Sequence, residues 1–171
     1  MKNYIFIILL FFSCNFNSVN NIELSDKYLA DTINRISIQH NIDPVFTAAI
    51  IKAESNFDRT AKSHSKAIGY MQLKKGAAYD GLNYSGYSNL AKTAFNNTGY
   101  LYHSDINILS GVSYLRWIMD KKKPIDWIEL MAYYNSGQSD KIVGSYVIKI
   151  KRYYEKHSKI NIDKSFKRMN K

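Results

Sequence analysis

The sequence predicts a single, mainly α domain, and three observations carry that prediction. Apolar residues recur at spacings of three and four in separate segments, such as Leu29, Ile33 and Ile36, or Ile108, Val112, Leu115 and Met119. No stretch alternates long enough to demand a large sheet, and no internal repeat is visible. With 171 residues, 46% of them hydrophobic and 14% aromatic, the chain can bury one substantial core.

The first element is a leader. Met1-Lys2-Asn3 is a short basic start, Tyr4 to Phe12 is an unbroken apolar run, and polar Asn15, Asn17 and Asn20 follow, which is the layout of a secretory signal peptide over residues 1–14. The run falls short of the ~20 residues that a permanent membrane helix needs. The only cysteine, Cys14, lies directly behind it. A lone cysteine forms no internal disulfide, which leaves a free thiol, an intermolecular bridge or a modified terminus. Its position fits the third. The arrangement is similar to a lipoprotein signal with Ser13 as the small residue before the cut, although Phe11 and Phe12 depart from the usual pattern. On the other reading, Cys14 is discarded with the leader.

Residues 15–24 read as a polar tether, residues 25–158 as the folded domain, and residues 159–171 as a solvated basic tail. Ser25 is the candidate N-cap of a first helix carrying Leu29, Ile33 and Ile36. Asn41-Ile42-Asp43-Pro44 breaks and restarts the chain, with Asp43 as N-cap and Pro44 at the first helical position. The second helix carries Phe46, Ala49, Ile50 and Ala53 on one face and delivers Glu54 near its C-terminus. Small strands are allowed between Ala67 and Leu73. Lys74 to His103 is rich in Gly, Asn, Ser and Tyr. Its Tyr79, Tyr84, Tyr87, Tyr100 and Tyr102 could present faces and hydroxyls to sugar rings, or could simply pack. Further helices are expected from Ile106 to Asp120, from an Asp126 cap with Glu129 as capping-box partner to Gly137, and from Ser139 to Glu155.

The formal net charge of +10 favours an acidic partner: nucleic acid, an anionic membrane or an acidic wall polymer. The leader argues against nucleic acid. His40, His64, His103 and His157 are scattered without paired spacing, so neither a metal site nor a cofactor is expected.

Glu54 carries the chemistry. It ends a buried apolar run in Ala53-Glu54-Ser55-Asn56-Phe57, where burial and the helix C-terminus both favour a protonated carboxyl. Such a group can protonate a poor leaving group near neutral pH. Most glycosidases need a second carboxylate. Asp58 and Asp80 are the nearest, and neither has a motif marking it as a partner.

Two more segments stand in order behind Glu54: Ala67-Ile68-Gly69-Tyr70-Met71-Gln72-Leu73 and Ala132-Tyr133-Tyr134-Asn135-Ser136-Gly137. Between them, His103-Ser104-Asp105-Ile106-Asn107-Ile108 precedes Gly111 and Tyr114-Leu115. Together these motifs resemble the lytic transglycosylases, which cut peptidoglycan. The resemblance spans roughly Asp43 to Tyr154. The late Tyr146-Val147-Ile148-Lys149 points to the membrane-bound lipoprotein branch, the murein transglycosylases of C and E type.

The resemblance implies a lysozyme-like single domain with at most a small β element near the cleft. It implies cleavage of the MurNAc-GlcNAc β-1,4 bond with one catalytic acid, Glu54. The substrate's N-acetyl group steadies the cation, the 6-hydroxyl replaces water, and a 1,6-anhydro end results. Ser55, Gly69, Met71, Gln72, Tyr134 and Asn135 match substrate-binding positions, and Ser65 either orients the site or caps a turn. The Tyr134 hydroxyl is expected to face Glu54 and the acetamido group, and Gln72 to offer both donor and acceptor. Tyr70 stands for the usual leucine, and His103-Ser104 for the usual Asp-Pro. The implied partners are glycan strands and, through Cys14, a membrane that is in this reading the outer membrane, with the enzyme a monomer facing the periplasm. A water-using muramidase and a non-catalytic wall-binding or scaffolding protein are the alternatives.

Overall fold

The computed structural model describes residues 26–140 and 144–170, so the leader, Cys14, the tether and Ser25 lie outside the described residues. Helix α1 (Lys27–Gln39) is capped by Asp26, whose carboxylate accepts from the Leu29 amide at 3.2 Å. Its Leu29, Ile33 and Ile36 are buried, the stripe that the spacing predicts. Asn41 then adopts a left-handed backbone (φ 54°) and Asp43 Oδ1 accepts from the Val45 amide at 2.8 Å, starting α2 (Pro44–Ser55). Every residue from Pro44 to Ile51 is buried. A helix apolar on all sides belongs in the middle of a core, and α2 is that helix here.

The Gly- and Tyr-rich segment after residue 74 forms α3 (Lys75–Tyr84), α4 (Ser88–Asn96) and a 3-10 turn at Thr98–Tyr102. Its buried positions are small or aliphatic, Ala78, Leu82, Ala91, Ala94 and Leu101, while most of its tyrosines sit at the periphery. Helix α5 (Ser104–Lys122) is the longest and contacts α1, α3, α6 and the 3-10 turn. In place of a sheet, the described residues show two isolated antiparallel bridges, Lys62 with Ile68 and Ile68 with Leu73.

Helix α6 (Trp127–Ser136) starts and stops as the sequence predicts. Asp126 Oδ1 accepts from the Glu129 amide at 2.8 Å, and Gly137 closes the helix at φ 79°. Helix α7 runs over Gly144–Ser158, later at both ends than expected. The expectation of a solvated tail needs correcting. Residues Ile162–Met169 form α8, which buries Ile162, Phe166 and Met169 at spacings of four and three. The lysines between them mask that stripe in a count of charge.

Helix α7 lies antiparallel to α2 and is fastened to it at both ends. Tyr154 Oη donates to Asp43 Oδ2 at 2.7 Å beside the α2 N-terminus, and Tyr146 Oη donates to Glu54 Oε1 at 2.6 Å near its C-terminus. Eight helical residues advance the chain by ~12 Å, and buried Ile150 fills the interval. Helix α8 closes over the first fastening, with Ser165 Oγ donating to Asp43 Oδ2 at 2.6 Å and the Asp43 amide donating to Met169 Sδ at 3.2 Å. Among the described residues no helix is long and apolar enough to cross a membrane.

Candidate active site

Glu54 occupies the last turn of α2, where the helix leaves the core. Two successive residues with left-handed backbone, Asn56 (φ 55°) and Phe57 (φ 64°), stop the helix and turn the chain aside. That conformation is costly for a bulky residue, and the Phe57 ring is held against Tyr153 at 6.1 Å. Glu54 lines two cavities, one of about 770 Å³ bounded by α7 and one of about 290 Å³ reaching Ser65, Gln72 and Asn135. Neither is lined by a second carboxylate. Asp58 is taken up by its own turn, accepting from the Thr60 amide and hydroxyl at 2.7 Å each. Asp80 lines a further cavity, beyond Gln72 and Tyr134.

Burial pushes the Glu54 pKa up to about 7, and the Tyr146 hydrogen bond opposes the rise. The carboxyl therefore keeps its proton to near neutrality and can also exist as a carboxylate, as a group that first donates and then accepts must. Activity that depends on protonated Glu54 is expected to fall as pH rises through about 7. In Tyr146→Phe the ionised form loses a donor, so its pKa rises and this alkaline limb moves to higher pH. A pH-rate profile unchanged by that substitution would refute the role given to Tyr146.

The 69–72 loop is a tight turn. Ile68 and Leu73 exchange backbone hydrogen bonds at 3.1 and 3.0 Å. Gly69 has φ +74°, and a Cβ there would lie 2.4 Å from Asn107 Nδ2, so only glycine fits. Buried Asn107 holds the turn by three bonds: Nδ2 donates to the Ile68 and Leu101 carbonyls at 2.9 and 2.8 Å, and Oδ1 accepts from the Met71 amide at 2.9 Å. Gln72, at φ 44°, spends its Nε2 on the Ala61 and Gly69 carbonyls at 3.0 Å each. With both amide hydrogens engaged, Oε1 is what Gln72 can offer a ligand, which corrects the expectation of a donor as well.

The structure sorts the other predicted residues. Ser65 and Asn135 line the smaller cavity with Glu54, and Ser65 Oγ lies 3.0 Å from Ser63 Oγ. Ser55 lines the larger one while donating to the Ile51 carbonyl at 3.2 Å. Gly69 and Met71 are buried and serve through the turn they build. The Met71 side chain packs where a Cβ on Gly111 would sit, 2.3 Å from its sulfur. Tyr134 borders the smaller cavity, yet its hydroxyl donates to the Met71 carbonyl at 2.9 Å. The tyrosine hydrogen-bonded to Glu54 is instead Tyr146, to which the sequence alone assigns no place in the site. The Tyr146, Ile150, Tyr154 stripe at spacings of four was the available signal.

The tyrosines expected to meet sugars are employed elsewhere. Tyr79 packs on Phe95 at 5.5 Å, and Tyr84 donates to Asp120 at 2.8 Å. Neither they nor Tyr87, Tyr100 and Tyr102 share either of these cavities with Glu54. Aromatic surface near the groove comes from Tyr114, Tyr134 and Tyr153. His40 is bound on both ring nitrogens, to the Ile36 carbonyl and the Ser113 hydroxyl. Among the described residues no three His, Cys, Asp or Glu side chains converge as metal ligands would.

A family model described as the transglycosylase SLT domain matches residues 31–154. No match was found among curated proteins. Among solved structures, an inactive mutant of the lytic transglycosylase Slt from Pseudomonas aeruginosa superposes with a TM-score of 0.55 at 21% sequence identity. The match covers 80% of this chain and 22% of that one, so the chain spans about a fifth of that protein's length. At that identity the likeness establishes a shared mainly α, lysozyme-like fold.

Proposed function

Because the chain belongs to the transglycosylase SLT domain family, we propose that it is a lytic transglycosylase cutting the MurNAc-GlcNAc β-1,4 bond of peptidoglycan with Glu54 as its sole acid and base. The observation that carries this is a half-buried carboxyl, with its pKa raised to about 7, at the meeting of two cavities that offer it no carboxylate partner. An ordinary glycosidase places a second carboxylate across the bond.

In the proposed reaction, Glu54 gives its proton to the glycosidic oxygen as the bond from the muramic C1 breaks. The substrate's N-acetyl oxygen steadies the positive carbon. The 6-hydroxyl oxygen of the same sugar then bonds to C1, and its proton passes to the Glu54 carboxylate, which regenerates the acid and leaves a 1,6-anhydro end. Tyr146 steadies the carboxylate between these steps. Gln72 Oε1 and Asn135 supply polar groups on the smaller-cavity side, with Tyr134 holding the turn that carries Gln72.

Mass spectrometry of purified peptidoglycan digested by the protein tests the reaction. Anhydro ends are expected, and reducing ends would replace this reading with a hydrolytic muramidase. The placement of the enzyme in the lipoprotein branch rests on Tyr146-Val147-Ile148-Lys149 and on Cys14 behind its leader. We place it in the envelope, anchored through Cys14 and facing the periplasm as a monomer. A clickable fatty acid should label the parent chain and leave Cys14→Ala unlabelled. Equal labelling of the two would dispose of the anchor.

A further inference from the structure

The groove on either side of Glu54 differs in charge. The larger cavity is lined by Lys52 from α2 and by Lys149, Arg152 and Lys156 from α7, with His157 beside them, and its only acid is Glu54. On α7 the three cations stand at spacings of three and four along one edge. The buried Tyr146, Ile150 and Tyr154 fix the rotation of that helix against α2. On the other side, the cavity lined by Tyr114 and Tyr134 has one lysine, Lys74, and one aspartate, Asp80.

Among the described residues the cationic row takes part in no salt bridge, not even with Glu155 of the same helix. The ion pairs found among the described residues are Lys27–Asp31, Arg35–Asp105 and Arg116–Asp120, none of which includes it. Nor does Glu54 neutralise it. The carboxyl is governed by burial and by Tyr146, and no cation contributes to its shift. Like charges gathered along one concave wall repel each other, and an anionic ligand relieves that repulsion.

A glycan strand's rings, hydroxyls and acetamido groups are neutral. Its carboxylates sit on the substituent of the muramic sugar, either in the stem peptide or, where that is absent, on the lactyl ether. We infer that the Lys149, Arg152 and Lys156 edge of α7 is a binding site for these carboxylates, so that the strand lies with an acidic substituent on the α7 side of Glu54. This rests on the reading of the chain as a peptidoglycan-cleaving enzyme. It adds that the enzyme prefers strands whose substituents keep their free carboxylates.

Binding is measured in a Glu54→Gln background, by calorimetry on soluble uncrosslinked strands. Three strands are compared: native, carboxyl-amidated, and stripped of peptide so that only lactyl carboxylates remain. Replacing the three cations together (Lys149→Glu, Arg152→Glu, Lys156→Glu) should weaken binding to native strands by about tenfold, more at low salt. On amidated strands the deficit should shrink to less than about twofold. A deficit kept on stripped strands shows that the site also takes the lactyl carboxylate, and one lost there restricts it to carboxylates of the stem peptide. An equal deficit on native and amidated strands, or none on native, overturns the proposal. All three positions are exposed, and the neutral set Lys149→Gln, Arg152→Gln, Lys156→Gln guards against a folding artefact by giving a smaller deficit of the same pattern. Missing anhydro products from the parent enzyme would sink the cleavage reading alone, since binding is read without turnover.

Discussion

Glu54→Gln is expected to lose solubilisation of peptidoglycan by at least ~10³-fold while still binding glycan strands, the loss appropriate to removing both a general acid and a general base. Glutamine keeps the shape and can still accept from Tyr146, but it has no proton to give to the glycosidic oxygen. The same substitution should stabilise the fold above neutrality. The native carboxyl holds its proton to about pH 7, whereas the unfolded chain releases it near the ordinary glutamate value of 4.5. The native state therefore binds more protons between these values, and stability falls as pH rises from about 4.5 to about 7. Glutamine escapes that loss, a gain of roughly 1–3 kcal/mol that is complete above pH 7 and absent below about pH 4. Melting curves at pH 4 and pH 8 check it. Full activity in the variant would remove Glu54 from the mechanism, and equal melting shifts at both pH values would contradict the burial argument.

Asn107→Ala is expected to have the largest effect on stability. Its side chain satisfies the Ile68 and Leu101 carbonyls and the Met71 amide at once. Alanine orphans all three in a buried place, at about 1–3 kcal/mol for each group that water cannot reach. A total near 4 kcal/mol would lower the melting temperature by roughly 10 °C in a domain of this size. Activity should fall in the molecules that remain folded, because the turn holding Gln72 and the Met71 carbonyl that receives Tyr134 both hang on this residue. Asn107→Asp keeps the volume and the acceptor but sets a carboxylate against two carbonyls, so it should do no better. A melting shift within about 2 °C for Asn107→Ala would mean that the turn is held by other contacts.

Local signals in the sequence foretold local structure well. Asp43-Pro44 and Asp126 with Glu129 and Gly137 each act through bonds spanning a few residues, and each cap stands where it was read. Glu54 was legible because an acid closing an apolar run is unusual. Partners far along the chain were not. Periodicity says which face of α7 is buried but not that Tyr146 meets a carboxyl 92 residues away, nor that the Tyr134 hydroxyl turns to the Met71 carbonyl. The C-terminal segment misled because charge dominates its composition while three well-spaced apolar side chains decide its packing. Two departures from the family pattern look independent in the sequence and are joined in the fold. Tyr70, in place of leucine, is buried with its hydroxyl near Ser104, itself in place of proline.

The fastening of α2 to α7 and α8 also bears on the order of events when the chain is made. Asp43 meets Tyr154 and Ser165 at sequence separations of 111 and 122, and Glu54 meets Tyr146 at a separation of 92. Contacts so distant along the chain form late, after the entropy of closing long loops has been overcome. A polypeptide emerging N-terminus first carries Glu54 long before it carries the tyrosine that donates to it, and the lock over Asp43 closes only with α8. A chain that has emerged only as far as α6 would thus hold Glu54 without the Tyr146 hydroxyl that donates to it.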